Sequence, residues 1–211
     1  MAASEQALDE AFESENIAQN HRDDIKVYLQ ILKNRDLKTY EHSVRVGVLA
    51  SKIAIYAAQP GISAKMLLWA GLLHDIGKAL VPPGVLTKTS NFTQEDFAAM
   101  EPHVQYGWDM LNQVHDWTAH IVVRHHQFGP KPYPAELPPL PDYLKSKAEM
   151  IRTAARLLAM ADYYDALMNR NNDKNGQKAL TPKQRREIYM KDNADMKWLA
   201  ELLESVGVLK F

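Results

Sequence analysis

Apolar residues recur at every third or fourth position along most of the chain, the spacing that lines one face of an α-helix. The periodic segments predict helices over residues 21–33, 37–58, 63–77, 117–126 and 146–170. A shorter helix is predicted from Thr93 that restarts at Pro102, and the C-terminal helices are predicted from Thr181-Pro182 onward. No segment of useful length alternates apolar and polar residues as a strand does, and no internal repeat is present. The pattern therefore predicts an all-α protein.

Prolines and polar runs interrupt the helical pattern at defined places. Pro82-Pro83-Gly84 predicts a loop over residues 78–92, and residues 171–177 predict a polar turn. Six of the eleven prolines fall within residues 130–141, which predicts a fixed, extended loop. Residues 1–20 contain five acidic residues and no basic residue. We therefore expect an acidic N-terminal helix or frayed tail over 1–20, followed by a single domain over 21–211.

Composition limits the classes of function. The 211 residues are 46% hydrophobic and 24% charged, which are globular values, and the net charge of −1 gives no reason to expect a stable nucleic-acid partner. The absence of cysteine excludes disulfides, thiolate metal sites and cysteine nucleophiles. The longest purely apolar run, residues 66–73, is too short to cross a bilayer, and no targeting signal precedes it. We expect a soluble, cytoplasmic protein without a membrane partner.

Several ionisable residues occupy apolar helix faces. His42 shares a face with Val46 and Leu49, and Asp162 interrupts the apolar stripe of Leu158. Each alone has an ordinary explanation, either a hydrogen-bonded core histidine or an aspartate paired with a distant arginine. Because a buried carboxylate is costly unless it is paired or binds a metal, the combined set instead favours a shared metal centre. The set comprises His42, His74, Asp75, His103, His125, His126 and Asp162. The remaining histidines, His21, His115 and His120, are expected to have surface or structural roles.

The same residues carry a family resemblance. The segments are Tyr-Glu-His-Ser-Val-Arg-Val at 40–46, His-Asp-Ile-Gly-Lys at 74–78, the histidines at 103, 125 and 126, and Ala-Asp-Tyr-Tyr-Asp-Ala-Leu at 161–167. Together they resemble the HD-domain superfamily of metal-dependent phosphohydrolases, and the later segments resemble its HD-GYP branch. The resemblance runs from about residue 36 to residue 180. It implies an HD-domain helical bundle.

The resemblance also implies a dinuclear site with two divalent transition metals per chain. One metal is assigned to His42, His74, Asp75 and Asp162; the other is assigned to His103, His125 and His126, with Asp75 bridging the two. Imidazole and carboxylate ligands suit iron, manganese, zinc, cobalt or nickel, so these ligands leave the metal open. Two such ions can share a hydroxide that attacks a phosphoryl group near neutral pH.

Catalytic and substrate-binding roles follow from the same resemblance. Asp75 and Lys78 are expected to be catalytic, with Lys78 reaching a phosphate oxygen or the leaving group. Arg45 is expected either to contact substrate phosphate or to pair with a carboxylate beside the ligands. A phosphate-binding basic residue follows Asp162 in the family, and Arg170 or Lys178 could fill that role.

Two segments depart from the family pattern. Where HD-GYP proteins have His-His-Glu and a glycine-rich loop ending Gly-Tyr-Pro, residues 125–134 here have Gln127 and prolines, and retain only Tyr133-Pro134. Phe128 and Tyr133 on this loop are candidates to line the substrate pocket. Lys38 stands where some relatives have a glutamate that binds a third metal, which favours two metals.

We therefore predict a metal-dependent phosphohydrolase, a phosphodiesterase or phosphatase, whose substrate is a small phosphoester or a nucleotide such as a cyclic dinucleotide. Two alternatives are a di-iron oxygenase of the HD fold and a non-catalytic sensor or interaction module. Adjacent His125-His126 points to the hydrolase branch rather than the oxygenase. A non-catalytic module has no chemical need for all seven ligands. Self-association is left open.

Overall fold

Helices make up most of the computed structural model, which describes residues 2–169 and 180–211. The predicted polar turn, Arg170 and Lys178 lie outside these residues. The helices are α1 Ala2–Ser14, α2 Gln19–Arg35, α3 Leu37–Ala57, α4 Ala64–Leu73, α5 Pro83–Leu86, α6 Gln94–Met100, α7 His103–Leu111, α8 Asp116–Val122, α9 Asp142–Lys145, α10 Ala148–Asn169, α11 Pro182–Asp192 and α12 Lys197–Ser205. Ile76–Leu80 and Ala194–Met196 are 3₁₀ helices. No strand occurs within the described ranges, so the all-α prediction is confirmed.

Side-chain caps fix the starts of several helices. Asp36 accepts a hydrogen bond from the backbone N–H of Thr39 at the start of α3, and Ser63 does the same for Met66 at the start of α4. Thr93 and Asp96 form a reciprocal capping box at α6, as their spacing predicts. Local sequence therefore determines where these helices begin.

Two predicted helices end earlier than expected. The segment predicted as helical over 63–77 leaves the α-helix after Leu73, and the 3₁₀ helix Ile76–Leu80 occupies part of the predicted loop, which also contains α5. The segment predicted over 117–126 ends at Val122, and backbone bonds of the i to i−3 type continue it as a turn. Both predictions were wrong, because apolar periodicity does not report the tertiary contacts at these helix ends.

Gly77 illustrates such a contact. A methyl group on its Cα would lie 2.5 Å from the backbone nitrogen of Gly107 and closer still to the carbonyl oxygen of His103. The 3₁₀ helix and α7 therefore touch through their backbones, an approach that only glycine permits. This contact places His103 beside the His74-Asp75 segment.

Helix α3 lies at the centre of the bundle and packs against α1, α2, α4, α10 and α12. It crosses α4 closely at Gly47 and Gly71, where a methyl group on Gly71 would lie 2.6 Å from the Cα of Gly47. One hydrophobic cluster joins α3 and α10 to the C-terminal helices, and a second joins α1 and α2 to α4, α7 and α8. Of the two alternatives for the first twenty residues, the structure has a helix, whose Leu8 and Phe12 are buried in the second cluster. Among residues 2–169 and 180–211, no helix combines the length and apolarity needed to cross a bilayer.

The proline-rich segment 130–141 contains no helix and is fastened to the turn after α8. Gln127 Nε2 donates to the carbonyl of Pro134 over 2.8 Å, and the backbone N–H of Tyr133 donates to the carbonyl of His126 over 3.4 Å. Arg124 Nη2 reaches the carbonyl of Pro138 over 3.4 Å. The predicted fixed loop therefore lies against the two histidines at 125 and 126.

Candidate metal centre

Five segments of the chain bring the seven predicted ligand side chains to one place. His42 comes from α3, His74 ends α4, Asp75 precedes the 3₁₀ helix, His103 begins α7, His125 and His126 lie in the turn after α8, and Asp162 comes from α10. Their nitrogen and oxygen atoms form three groups, each with its atoms within 4.8 Å of one another. The groups are His42, His74 and Asp162; His103, His125 and His126; and His74, Asp75 and His125.

Asp75 lies between the first two groups. Its Oδ2 is 3.3 Å from His74 Nε2 and 3.6 Å from His42 Nε2, while its Oδ1 is 3.5 Å from His103 Nε2. In the first group, Asp162 Oδ1 lies 3.1 Å from His42 Nε2. One carboxylate thus faces histidines of both groups, the arrangement that a bridging ligand requires.

Hydrogen bonds on the far side of each ring orient the histidines. The Nδ1–H groups of three of them donate to main-chain carbonyls three residues earlier: His74 to Gly71 over 2.7 Å, His103 to Met100 over 2.8 Å, and His125 to Val122 over 2.5 Å. Placing the proton on Nδ1 leaves a lone pair on Nε2. Each ring therefore presents an acceptor atom to the centre of the site.

Six atoms that face this centre lack hydrogen-bond partners. Within the described part of the chain, the buried atoms without a hydrogen bond include Nε2 of His42, His74, His103 and His125 and Oδ1 of Asp75 and Asp162. Buried polar groups are almost always satisfied, so a cluster of unsatisfied ones calls for a bound group that is not part of the chain. All six are nitrogen or oxygen donors, which fits divalent transition metals. The arginine partner considered for Asp162 is not found among the described residues, since the nearby Arg156 pairs with Asp195.

Burial and neighbouring charge set the protonation of these groups. Burial lowers the pKa of His103 to about 3 and of His125 to about 4, so both imidazoles are neutral at physiological pH. Burial alone would raise the pKa of Asp75, but His74 and Lys78 outweigh it and lower the pKa well below its usual range. Asp75 in turn raises the pKa of His74 against the effect of burial. The centre therefore combines the ionised carboxylate of Asp75 with neutral imidazoles at His103 and His125.

Both predicted basic residues near the ligands are engaged with carboxylates. Lys78 Nζ donates to Asp75 Oδ2 over 2.5 Å, and its side chain is 12% exposed. Arg45 forms two hydrogen bonds to Asp165, over 2.7 and 2.9 Å, so the alternative in which Arg45 pairs with a carboxylate is the one observed. Asp165 was absent from the predicted site. Its position three residues after Asp162, within the same Asp-Tyr-Tyr-Asp segment, was the available signal.

The two predicted pocket aromatics occupy different surroundings. The ring of Tyr133 stacks on His126, with centroids 4.4 Å apart and planes 25° apart, so it lies beside the second group of histidines. Phe128 instead packs against the main hydrophobic cluster, with the Arg156 guanidinium 5.6 Å from its ring centre. Tyr133 is therefore the loop aromatic placed at the site.

The other three histidines lie in aromatic contacts away from this centre. His120 is buried against Trp108, with ring centroids 4.5 Å apart, and His21 and His115 both contact the ring of Trp69. These contacts agree with the predicted structural roles.

Comparison with known proteins gives a family and several named relatives. Residues 39–167 match the HD domain family. A cyclic di-GMP phosphodiesterase of Thermotoga maritima is 29% identical over 156 residues, which cover 72% of this chain and 40% of the relative. A cyclic di-GMP phosphodiesterase of Pseudomonas aeruginosa is 34% identical over 149 residues, covering 69% of this chain and 34% of the relative. A 3'3'-cGAMP-specific phosphodiesterase of Vibrio cholerae is 28% identical over 165 residues, covering 74% and 30%.

The chain thus spans between 30% and 40% of the length of these curated relatives. The family match covers more than half of the chain and contains every one of the seven clustered side chains, from His42 to Asp162. The chain belongs to the HD domain family.

Proposed function

We propose that this chain is a metal-dependent phosphodiesterase that hydrolyses a cyclic dinucleotide at a dinuclear centre. The observation that carries the proposal is the position of Asp75 between two histidine groups, with the donor atoms of both aimed at one space. The names of the relatives, which specify cyclic di-GMP and 3'3'-cGAMP, support the substrate class. The family match supports metal-dependent hydrolysis.

The ligands divide between two positions. His42, His74 and Asp162 would hold the first ion, His103, His125 and His126 would hold the second, and Asp75, which faces both groups, would contribute to both. Iron, manganese, zinc, cobalt and nickel all fit these nitrogen and oxygen donors. When bound, the two ions supply charge that activates a water as nucleophile and neutralises the phosphoryl group under attack. Lys38 is exposed on α3, which supports two ions rather than three.

Lys78 and Tyr133 are the residues proposed to contact the substrate. Lys78, anchored on Asp75, is positioned to donate from Nζ to a phosphate oxygen or to the departing sugar oxygen. Tyr133 forms a flat wall beside His126 that a nucleobase or sugar can contact. The hydrogen bonds of Gln127 and Arg124 to the proline segment keep this wall in place.

A metal-loaded activity panel tests the proposal. The full chain, purified without added metal, is analysed for bound elements and then supplied with cyclic di-GMP, 3'3'-cGAMP, a linear dinucleotide and a generic diester, while oxygen consumption is recorded. We expect about two ions per chain and hydrolysis of a cyclic dinucleotide without oxygen uptake. Asp75→Ala should abolish turnover and reduce the metal content, whereas Gly84→Ala, on exposed α5, should leave both unchanged. A metal-loaded chain that hydrolyses none of these diesters contradicts the proposal.

A further inference from the structure

Four hydrogen bonds converge on the carboxylate of Asp165, which is buried between α3 and α10. Its Oδ2 accepts from His42 Nδ1 over 2.7 Å and from Arg45 Nη2 over 2.9 Å. Its Oδ1 accepts from Arg45 Nε over 2.7 Å and from Asn169 Nδ2 over 2.8 Å. A carboxylate can accept about four such bonds, so Asp165 has nearly all its acceptor capacity filled and is held in one orientation.

This contact distinguishes His42 from the other histidines whose hydrogen bonds are described above. The Nδ1–H groups of His74, His103 and His125 donate to neutral main-chain carbonyls, whereas that of His42 donates to an anion. An anionic acceptor fixes the ring more strongly and raises the electron density at Nε2, which makes the imidazole a better metal ligand. The Nε2 of His42 faces Asp162 and the centre of the site.

We infer that Asp165, clamped by Arg45, is a positioning residue for His42 that strengthens ion binding at the position formed by His42, His74 and Asp162. Among the described contacts of His103, His125 and His126, no Nδ1–H group donates to a carboxylate. Asp165 therefore acts on one ion and leaves the other unaffected. The inference rests on the proposed dinuclear centre. It adds a difference in affinity between the two ion positions of that centre.

A purely structural role is the competing explanation, because the Arg45–Asp165 pair also joins α3 to α10. The chain offers a second bidentate arginine–aspartate pair for comparison, although the aspartate of that pair is more exposed. Arg156, also on α10, donates from Nε and Nη2 to the two oxygens of Asp195 over 2.9 and 2.7 Å. Within the described residues, Asp195 makes no hydrogen bond or ion pair with a histidine of the centre. Loss of that pair therefore shows how much a bidentate arginine–aspartate contact of α10 changes the affinity for metal when His42 is not involved.

The experiment measures the affinity of each ion, not turnover. The full-length chain is stripped of metal and titrated with Zn²⁺ against a chromophoric chelator, which resolves two dissociation constants. The variants are Asp165→Asn, which keeps the shape and removes the charge, Asp165→Ala, and the control Asp195→Asn. We expect Asp165→Asn to weaken one constant about 10-fold and Asp165→Ala up to about 100-fold, the range for partners of metal-bound histidines. The other constant should not change.

A His103→Ala background assigns the affected ion. That substitution removes a ligand of the second position, and the remaining tight ion should still be weakened by Asp165→Asn. The inference is overturned if both constants weaken together, if neither changes, or if Asp195→Asn produces the same selective loss. A wild-type chain that binds no Zn²⁺, Mn²⁺ or Fe²⁺ removes the dinuclear centre itself, so failure of the proposed function is recognised before any variant is compared. If Asp165→Ala does not fold, Asp165→Asn alone decides.

Discussion

Replacing Gly77 by alanine tests how the fold sets the spacing of the two histidine groups. The added methyl would lie 2.5 Å from the backbone nitrogen of Gly107, whereas ordinary contacts of this kind begin at 3.4 Å. The 3₁₀ helix and α7 must therefore separate by at least about 0.9 Å, the difference between those distances. The neighbour is backbone on both sides, so no side chain can rotate away to relieve the overlap.

The separation has two measurable consequences. Overpacking a close contact costs about 1–3 kcal/mol, and a rigid backbone contact belongs at the upper end of that range. For a chain of this size, about 3 kcal/mol lowers Tm by about 6–12 °C. His103 begins α7 and moves with it, and metal ligands tolerate displacements of only about 0.2 Å. We therefore expect the ion at His103, His125 and His126 to be lost before the other one.

Thermal unfolding by circular dichroism and elemental analysis of the same samples check both consequences. Gly84→Ala is the matched control, since a methyl group there meets no atom within 4 Å and the residue lies in helix α5. Alanine in place of glycine in a helix should stabilise the chain slightly, by about 0.5–1 kcal/mol. A Gly77→Ala variant with the Tm and metal content of the wild type would refute the close approach and the coupling drawn from it.

Three further results are expected. Phe12→Ala should lower the free energy of unfolding by about 3–5 kcal/mol in a denaturant titration, because Phe12 is 0% exposed. The control Val27→Ala should lower it by less than about 0.5 kcal/mol, because Val27 is 62% exposed. Equal losses would contradict the packing of α1 into the core. In metal-free protein, the folded pKa values of His103 and His125 lie below the value of 6.5 for an unfolded histidine, so below pH 6.5 the unfolded chain binds more protons than the folded one. The free energy of unfolding should therefore be highest above pH 6.5 and fall toward pH 4. A flat profile over that interval would contradict the lowered pKa values of these two histidines. Metal at 100 times its Kd should stabilise the fold by about 2.7 kcal/mol per site, read as a rise in Tm that EDTA reverses, and an unchanged Tm would argue against a preformed site.

Sequence alone identified the helices whose limits are encoded locally. Ser63 and Thr93 mark helix starts because each cap satisfies backbone N–H groups of its own first turn, so the signal lies within four residues. The seven predicted ligands could also be predicted as neighbours, because each is an ionisable residue beside apolar positions of its segment. Polarity on a buried face is visible without knowing the fold.

Contacts between distant segments could not be predicted in the same way. Asp165 is 123 residues from His42. Its position three residues after Asp162 suggests a place near the site, but the sequence does not specify His42 as its partner. Phe128 lies two residues from His126, yet its ring packs into the main core beneath Arg156, which depends on how α10 crosses the turn. The direction of a loop side chain is set by what lies under it, and that is tertiary information.

The early ends of α4 and α8 agree with the proposed metal centre. In a continuous α-helix, consecutive side chains point about 100° apart, so neither His74 and Asp75 nor His125 and His126 could both face one centre from inside a helix. The structure places each pair just past a helix end: Asp75 leaves the helical region at φ −102° and ψ 9°, and the rings of His125 and His126 approach to 3.9 Å between centroids. The sequence predicted unbroken helices through residues 77 and 126, and it also predicted a centre that uses both adjacent pairs. These two predictions were therefore incompatible on geometric grounds.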